Sequence, residues 1–303
     1  MRNLKIKDGF SLSELSLGCM NLPLDNKVEA EKIIESALNA GITYFDTADL
    51  YQFGENEKLV GEILSKYRSQ YDFTLGTKVG NQFDEKKQEK IAWNPTASYI
   101  KEAVKDSLHR LRVDQIDLYQ LHGGTIEDDK DETISAFEDL KQDGIIKSYG
   151  ISSIRMNVID YYKQHSSIAT LMMQFNPIDN RPLEVVEDLN DIQVLARGPV
   201  MKGLLSEKSL KVLDEKFDDG VLDYSNEQLK ETIESLLSIN TDLTALSYEF
   251  LRKNDAVIVN GVSSVEQLNS NLKSYDKAGD LTDEEYSRIL NAVKTLQYGE
   301  HRI

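Results

Sequence analysis

The chain has 303 residues, of which 40% are hydrophobic and 29% charged, and its formal net charge is −17. Such an acidic surface repels phosphate backbones, and no basic stripe offsets it, so we expect no nucleic-acid partner. No apolar run is long enough for a membrane span, and the N-terminus lacks the apolar core of a signal peptide. A single cysteine, Cys19, excludes an internal disulfide and fits a cytoplasmic protein.

Short apolar runs alternate with amphipathic segments along the whole chain. Each run is nearly continuous in its apolar character, which is typical of strands covered on both faces of a parallel sheet. We predict strands at Leu15–Gly18, Thr43–Asp46, Phe73–Lys78, Ile116–His122, Ile146–Ser152, Leu171–Phe175, Gln193–Ala196 and Val257–Asn260.

Helical periodicity fills the segments between these strands, and a capping box of Thr282 and Glu285 opens the last helix. Other predicted helices are Val28–Ala40, Ala97–Leu111, Thr133–Leu140, Ser225–Ser238 and Thr241–Arg252. Eight strand-then-helix units predict an α/β fold, a (β/α)8 TIM barrel, with residues 1–303 as a single domain. A doubly wound dinucleotide-binding sheet would need G-x-G-x-x-G after its first strand, and LGCMNLP does not match.

Several predicted strands end in a chemically capable side chain. The second ends at Asp46, the third at Lys78 and the fourth at His122, and Tyr51 follows five residues after Asp46. Each alone has an ordinary explanation: a helix cap, a strand-end lysine, a hydrogen-bonded core histidine and a packing tyrosine. Because the carboxyl ends of barrel strands build the active site, their combination favours a catalytic set.

These four side chains have complementary chemistry. Asp46 and Lys78 lie on neighbouring strands, and pairing with a carboxylate keeps a buried lysine charged. A charged Lys78 beside Tyr51 stabilises the phenolate, which makes Tyr51 a better proton donor to a carbonyl oxygen. His122 would donate to the same oxygen and orient the carbonyl.

At these residues the sequence resembles the aldo-keto reductase family. The matching motifs are GITYFDTADLYQFGENEKLVGEIL, TLGTKVG, DLYQLH, YGIS, MMQFN and ARGPVMKGLL, and the resemblance extends from residue 18 to about residue 271. The resemblance implies a barrel that reduces aldehydes and ketones with NADPH and without a metal. It also implies that Tyr51 is the proton donor, that Lys78 and Asp46 modulate it, and that His122 orients the substrate.

The resemblance further implies a cofactor site along the mouth of the barrel. Ser152, Ser153 and Gln174 would meet the nicotinamide carboxamide. Gly198 to Leu204 would follow the pyrophosphate, with a lysine as local cation, and N–H groups at the helix start near Ser264 would suit the adenosine phosphate. The residues expected at the cofactor are Met20, Asp46, Ser152, Ser153, Gln174, Arg197, Gly198, Pro199, Val200, Lys202, Gly203, Leu204, Gly261, Ser263, Ser264, Gln267 and Asn271.

Two positions depart from the family pattern. Arg197 stands where many members stack an aromatic ring on the nicotinamide, and its guanidinium could stack, reach a phosphate or simply lie on the surface. Ser263 stands where many NADPH-preferring members have a basic residue, so a charge-assisted contact to the 2′-phosphate is missing. We expect NADPH to be preferred, less sharply than usual, with NADH the poorer cofactor.

The substrate mouth is expected to be open, because two glycines follow His122 where narrow-pocket members have a bulky aromatic. Trp93 either caps the substrate or covers helix packing. Met20, Phe53 and Trp93 would form an apolar lining that favours small aldehydes or aromatic carbonyls over charged sugars. The residues expected at the substrate are Tyr51, His122, Phe53 and Trp93.

Two other functions compete with carbonyl reduction. A Schiff-base enzyme would need a neutral Lys78, which a facing Asp46 opposes. A cofactor-binding, redox-sensing regulatory subunit with little turnover would share the same motifs, because family members also serve in that way.

Overall fold

Eight parallel strands close into a barrel in the computed structural model, which describes residues 1–300 and 302. The barrel consists of β3, β4, β5, β8, β9, β10, β11 and β12, each next to its successor, and β12 pairs with β3 to close it. The strands are β1 (Asn3–Lys5), β2 (Ser11–Ser13), β3 (Leu15–Gly18), β4 (Tyr44–Asp46), β5 (Thr74–Val79), β6 (Asn81–Asp84), β7 (Glu89–Trp93), β8 (Ile116–Leu121), β9 (Ile146–Ser152), β10 (Thr170–Gln174), β11 (Gln193–Arg197) and β12 (Val257–Gly261).

The predicted TIM barrel is confirmed, and each barrel strand begins and ends within one residue of its predicted bounds. The described α-helices are α1 (Lys27–Asn39), α2 (Glu55–Leu64), α3 (Ala97–Leu111), α4 (Lys130–Gln142), α5 (Met156–His165), α6 (Leu183–Val186), α7 (Ser209–Lys216), α8 (Asn226–Ile239), α9 (Leu243–Lys253), α10 (Val265–Lys277) and α11 (Asp283–Ala292). The expected capping box opens α11, where Thr282 and Glu285 bond each other's backbone N–H.

Two hairpins flank the barrel at opposite ends. The β1–β2 hairpin precedes β3, and its Ile6 and Leu12 pack into the barrel interior together with Tyr44 and Leu118. The amino-terminal end of the barrel is therefore filled by side chains. The β6–β7 hairpin follows β5 at the carboxyl end, and neither of its strands was among those predicted from the sequence. Within the described residues, none of the helices has the length and apolar character needed to cross a membrane.

Candidate active site

Lys78 and Asp46 form a buried ion pair at the carboxyl end of the barrel. Asp46 pairs with Gly76 across β4 and β5, which places Lys78 two residues beyond it. The Lys78 Nζ lies 2.5 Å from Asp46 Oδ2 and also donates to the carbonyl oxygen of Thr47 at 2.6 Å. Burial alone lowers the pKa of Lys78, but the charge of Asp46 and then Tyr51 outweigh it, so the net pKa is raised. Lys78 is therefore an ammonium group.

The second oxygen of Asp46 is also fixed. Its Oδ1 accepts hydrogen bonds from Tyr44 Oη at 3.0 Å and from Gln120 Nε2 at 3.4 Å. Tyr44 reaches it across Gly76, where any Cβ would collide with the phenol. Sequence reasoning missed Tyr44 and Gln120, because they read as ordinary strand residues. Together these contacts hold the carboxylate in one orientation.

Tyr51 lies on a tight turn, Tyr51–Gly54, which begins five residues after Asp46, the last residue of β4. Its ring centre is 5.3 Å from Lys78 Nζ and 5.8 Å from the His122 ring, which meets it edge-on. The next residues in the turn, Gln52 and Phe53, both have left-handed backbone angles (φ 46° and 52°), an arrangement that carries strain. The structure thus brings together the four residues predicted from the sequence.

His122 follows β8, and its backbone N–H donates to Val79 O at 2.7 Å. Its Nδ1 is buried and has no hydrogen-bond partner within residues 1–300 and 302. Burial, reinforced by the positive charges of Lys78 and Arg197, lowers the pKa of His122 to about 3. The imidazole is therefore neutral at physiological pH and can donate a single ring N–H.

A second buried acidic group, Asp49, lies between Asp46 and Tyr51 in sequence and was not predicted. Neither of its carboxyl oxygens has a hydrogen-bond partner in the described part of the chain. Burial, and then repulsion from Glu57, raise the pKa of Asp49 well above its usual range. Glu57 itself is bound by Arg110 at 2.7 Å and by Thr77 at 2.5 Å. This network lies directly behind the strand that carries Lys78.

The residues expected at the nicotinamide lie at the ends of neighbouring strands. Ser152 ends β9 and Gln174 ends β10, one strand further round the barrel. Arg197 is exposed, but its Nη1 donates to Gln174 Oε1 at 2.7 Å. Ser153 accepts a bond from Arg155 N at 3.3 Å. Amide, hydroxyl and guanidinium groups therefore face one part of the mouth.

The loop from Gly198 to Leu204 contains residues with left-handed backbone angles and is held by side chains from α7 and α9. Met201 and Lys202 have left-handed backbone angles of φ 43° and 54°. Ser247 on α9 donates to Pro199 O at 2.6 Å, and Lys216 on α7 donates to Lys202 O at 3.2 Å. Strained backbone of this kind persists where surrounding contacts fix it, which is common at ligand sites.

The residues expected at the adenosine end cluster around the start of α10. Ser264 caps this helix by accepting from Gln267 N at 3.2 Å, and Ser263 N donates to Gln267 Oε1 at 2.9 Å. The N–H of Val265, however, already donates to Glu29 Oε1 on α1 at 2.9 Å. Sequence reasoning missed Glu29, since only the packing of α1 on α10 brings it there. A phosphate at this helix start must share it with a carboxylate.

The donor set of this region fits a dinucleotide. Amide and hydroxyl groups at the strand ends suit a carboxamide. Arg197, directly before the loop expected to follow the pyrophosphate, and Lys202, within that loop, supply positive charge. The group expected at the adenosine end contains no lysine or arginine; it comprises Gly261, Ser263, Ser264, Gln267 and Asn271. The fit is therefore weakest for a 2′-phosphate.

Phe53 lies two residues after Tyr51 in the same turn, and Trp93 lies near the residue that follows His122. The Phe53 ring lies 6.0 Å from that of Phe83, and Met20 is half exposed. Trp93 ends β7, and its ring lies against the backbone of Gly123, next to His122. Within the described residues, no group of three or more His, Cys, Asp or Glu side chains is arranged to hold a metal ion.

Comparison with known proteins identifies the family. The model of the aldo/keto reductase family matches residues 14–294. YqkF of Bacillus subtilis, named as an uncharacterized oxidoreductase, is 46% identical over 310 residues covering 100% of both chains. The aldo-keto reductase yakc [NADP(+)] of Schizosaccharomyces pombe is 25% identical over 202 residues, covering 63% of this chain and 59% of its own.

Solved structures agree with this assignment. The holo form of aldo-keto reductase AKR11C1 from Bacillus halodurans has a TM-score of 0.92 and 43% identity, and its apo form has 0.83 and 40%; both cover 100% of each chain. With a family model across nearly its full length and a relative matched end to end, the chain belongs to the aldo/keto reductase family.

Proposed function

We propose that this protein reduces aldehydes or ketones to alcohols with NADPH, and that Tyr51 is the proton donor. The observation that carries the proposal is the buried Lys78 ammonium, which is paired with Asp46 and lies 5.3 Å from the centre of the Tyr51 ring. A Schiff-base role for Lys78 is disfavoured, because that chemistry needs a neutral amine.

Each of the four side chains has a distinct role in this proposal. When bound, NADPH supplies the hydride. Tyr51 gives its proton to the carbonyl oxygen, and Lys78 stabilises the phenolate left behind; two unit charges about 5 Å apart interact by about 3 kcal/mol at an effective dielectric near 20. Neutral His122 donates its ring N–H to the same oxygen and holds the carbonyl in place. Asp46 keeps Lys78 protonated and oriented.

The residues around the mouth would bind the cofactor. Gln174, with Ser152 and Ser153, would bond the carboxamide, and Arg197 would move from Gln174 to stack or to reach a phosphate. The family membership and the NADP(+) in the name of the fission-yeast relative support NADPH. Ser263 and Glu29 both weaken the interaction with a 2′-phosphate, so NADH should also be accepted, though less readily.

The apolar lining of the mouth favours small aldehydes or aromatic carbonyls over charged sugars as substrates. A cytoplasmic location is consistent with a single, buried cysteine, Cys19. The direct test is a panel of carbonyl compounds with each cofactor, followed by the loss of reduced-nicotinamide absorbance. Turnover of apolar aldehydes with NADPH would support the proposal. Tight cofactor binding without turnover of any carbonyl would instead favour a redox-sensing regulatory protein.

A further inference from the structure

Trp93, the only tryptophan of the chain, lies against the backbone that follows both Lys78 and His122. A Cβ added at Gly80 would be 2.6 Å from the indole Cζ3, and one added at Gly123 would be 3.2 Å from the same ring. Gly80 comes two residues after Lys78 and Gly123 directly after His122. The indole therefore lies against the two chain segments that directly follow the proposed catalytic residues Lys78 and His122.

Asp128 fixes the orientation of this ring from the loop after β8. Trp93 Nε1 donates to Asp128 Oδ1 at 2.9 Å. The carboxylate is itself held by Thr125, whose N–H donates to Oδ2 and whose Oγ1 donates to Oδ1, both at 2.6 Å. Hydrogen bonds to an ionised carboxylate are short and strong, and the indole N–H has no other polar function to satisfy. The ring is thus bound to a rigid acceptor.

The hairpin that carries Trp93 is fixed to the same strands. Asn81 Nδ2 donates to His122 O at 3.2 Å, Tyr99 Oη donates to Asn81 O at 3.3 Å, and Asn94 N donates to Gly80 O at 2.8 Å. Both ends of the hairpin are therefore anchored beside the proposed catalytic residues. The hydrogen bond to Asp128 restricts the remaining motion, which is the rotation of the indole.

We propose that Asp128 is a positioning residue for substrate selection: it holds the Trp93 indole beside His122 as a flat apolar wall that favours carbonyls bearing a planar aromatic group. The proposal rests on the function proposed above. Aromatic rings gain from offset or edge-on contact in addition to burial of their surface. A small aliphatic carbonyl gains little from such a wall, so loss of the Asp128 contact should affect the two substrate types differently.

The test compares Asp128→Ala with Glu127→Ala, which removes one negative charge from an exposed neighbour on the same loop. With NADPH, Asp128→Ala should raise KM for benzaldehyde about 3- to 10-fold, with kcat and the KM for propanal little changed. Asp128→Asn keeps an acceptor oxygen and should recover most of the affinity. An equal effect on both aldehydes, or none on benzaldehyde, would overturn the proposal.

Trp93 provides a second readout that needs no turnover, because all tryptophan emission comes from this site. In Asp128→Ala the emission should shift to longer wavelength and acrylamide should quench it more strongly, while Glu127→Ala should match the wild type. An unchanged spectrum would overturn the proposal, even in a protein that reduced no carbonyl. If the wild type reduced no carbonyl but Asp128→Ala still changed the Trp93 emission as expected, the result would count against the proposed function alone. If Asp128→Ala does not fold, the same two measurements on Asp128→Asn decide, with smaller shifts in the same directions.

Discussion

Lys78 and Asp46 are joined at 2.5 Å in a pair that has almost no contact with solvent, 0% for the lysine side chain and 5% for the aspartate. Removing one partner of a buried pair leaves the other charge uncompensated, which costs far more than the pair itself contributes. The pair is therefore a structural as well as a chemical requirement.

Asp46→Asn should lower the free energy of unfolding by about 3–5 kcal/mol, measured by urea denaturation at neutral pH. Asp139→Asn is a suitable control, because the Lys101–Asp139 pair is equally close, at 2.6 Å, but about half exposed. It should cost less than about 1 kcal/mol. Equal costs for the two variants would show that Lys78 does not depend on Asp46.

The low pKa of His122 predicts an acid-sensitive contribution to stability. Its pKa is lowered from 6.5 to about 3 in the folded protein, so between these values only the unfolded chain takes up the proton. Stability should therefore fall as pH falls through this window, by up to about 2 kcal/mol between about pH 6.5 and pH 5. Urea denaturation of the wild type and of His122→Gln at several pH values measures this pH-dependent part of the free energy of unfolding, which the variant should lack.

The pH dependence of kcat gives a second measure of the protonation of His122. In the wild type, kcat should show no inflection from His122 between about pH 5 and pH 8. An inflection in that range that disappears in His122→Gln would mean that the imidazole titrates near neutrality.

Gly198 should be needed for cofactor binding. Its φ is +66°, and a Cβ there would collide with the Gln174 amide. Gly198→Ala should displace Gln174, break its bond to Arg197 and weaken NADPH binding about 3- to 10-fold, as for one lost hydrogen bond. Gly144→Ala is the control, because Gly144 has a similar left-handed backbone (φ +72°) away from the expected cofactor residues, and a Cβ there would contact only the Gln115 amide nitrogen, at an ordinary 3.9 Å. Quenching of Trp93 emission by the cofactor gives both dissociation constants, and equal values would rule out a role for Gln174.

Glu29 should influence the choice between the two cofactors. Its carboxylate occupies the Val265 N–H at the start of α10, where a 2′-phosphate is expected. Glu29→Gln should tighten NADPH binding by about 2- to 5-fold and leave NADH nearly unchanged, because a negative charge leaves the helix N-terminus. The control is Glu31→Gln, which removes a carboxylate from the same helix, α1, where Glu31 pairs with Lys66. Identical changes for both cofactors would place the 2′-phosphate elsewhere.

The periodicity of the sequence was sufficient to predict the barrel and its strand ends, because each buried strand carries its own apolar run. It was also sufficient to predict that Asp46, Lys78 and His122 lie at one end of the barrel, because the carboxyl ends of barrel strands meet there whatever their separation in sequence. Tyr51 followed from its fixed spacing after Asp46.

Residues whose role depends on contacts between loops could not be predicted. The β6–β7 hairpin contains charged and polar residues that mask its alternation, so it read as a loop. Asp128 lies in an acidic cluster typical of a solvated surface, and only the fold brings it to Trp93. Asp49 and Glu29 likewise acquire their environments from neighbouring helices.

Tyr51→Phe tests the central claim most directly, because it removes one hydroxyl and leaves the ring beside Lys78 and His122. NADPH binding, followed by quenching of Trp93 emission, should stay within about twofold of the wild type, while carbonyl reduction falls by about 100- to 10,000-fold. Retention of turnover by this variant, with the cofactor bound normally, would contradict the assignment of Tyr51 as proton donor.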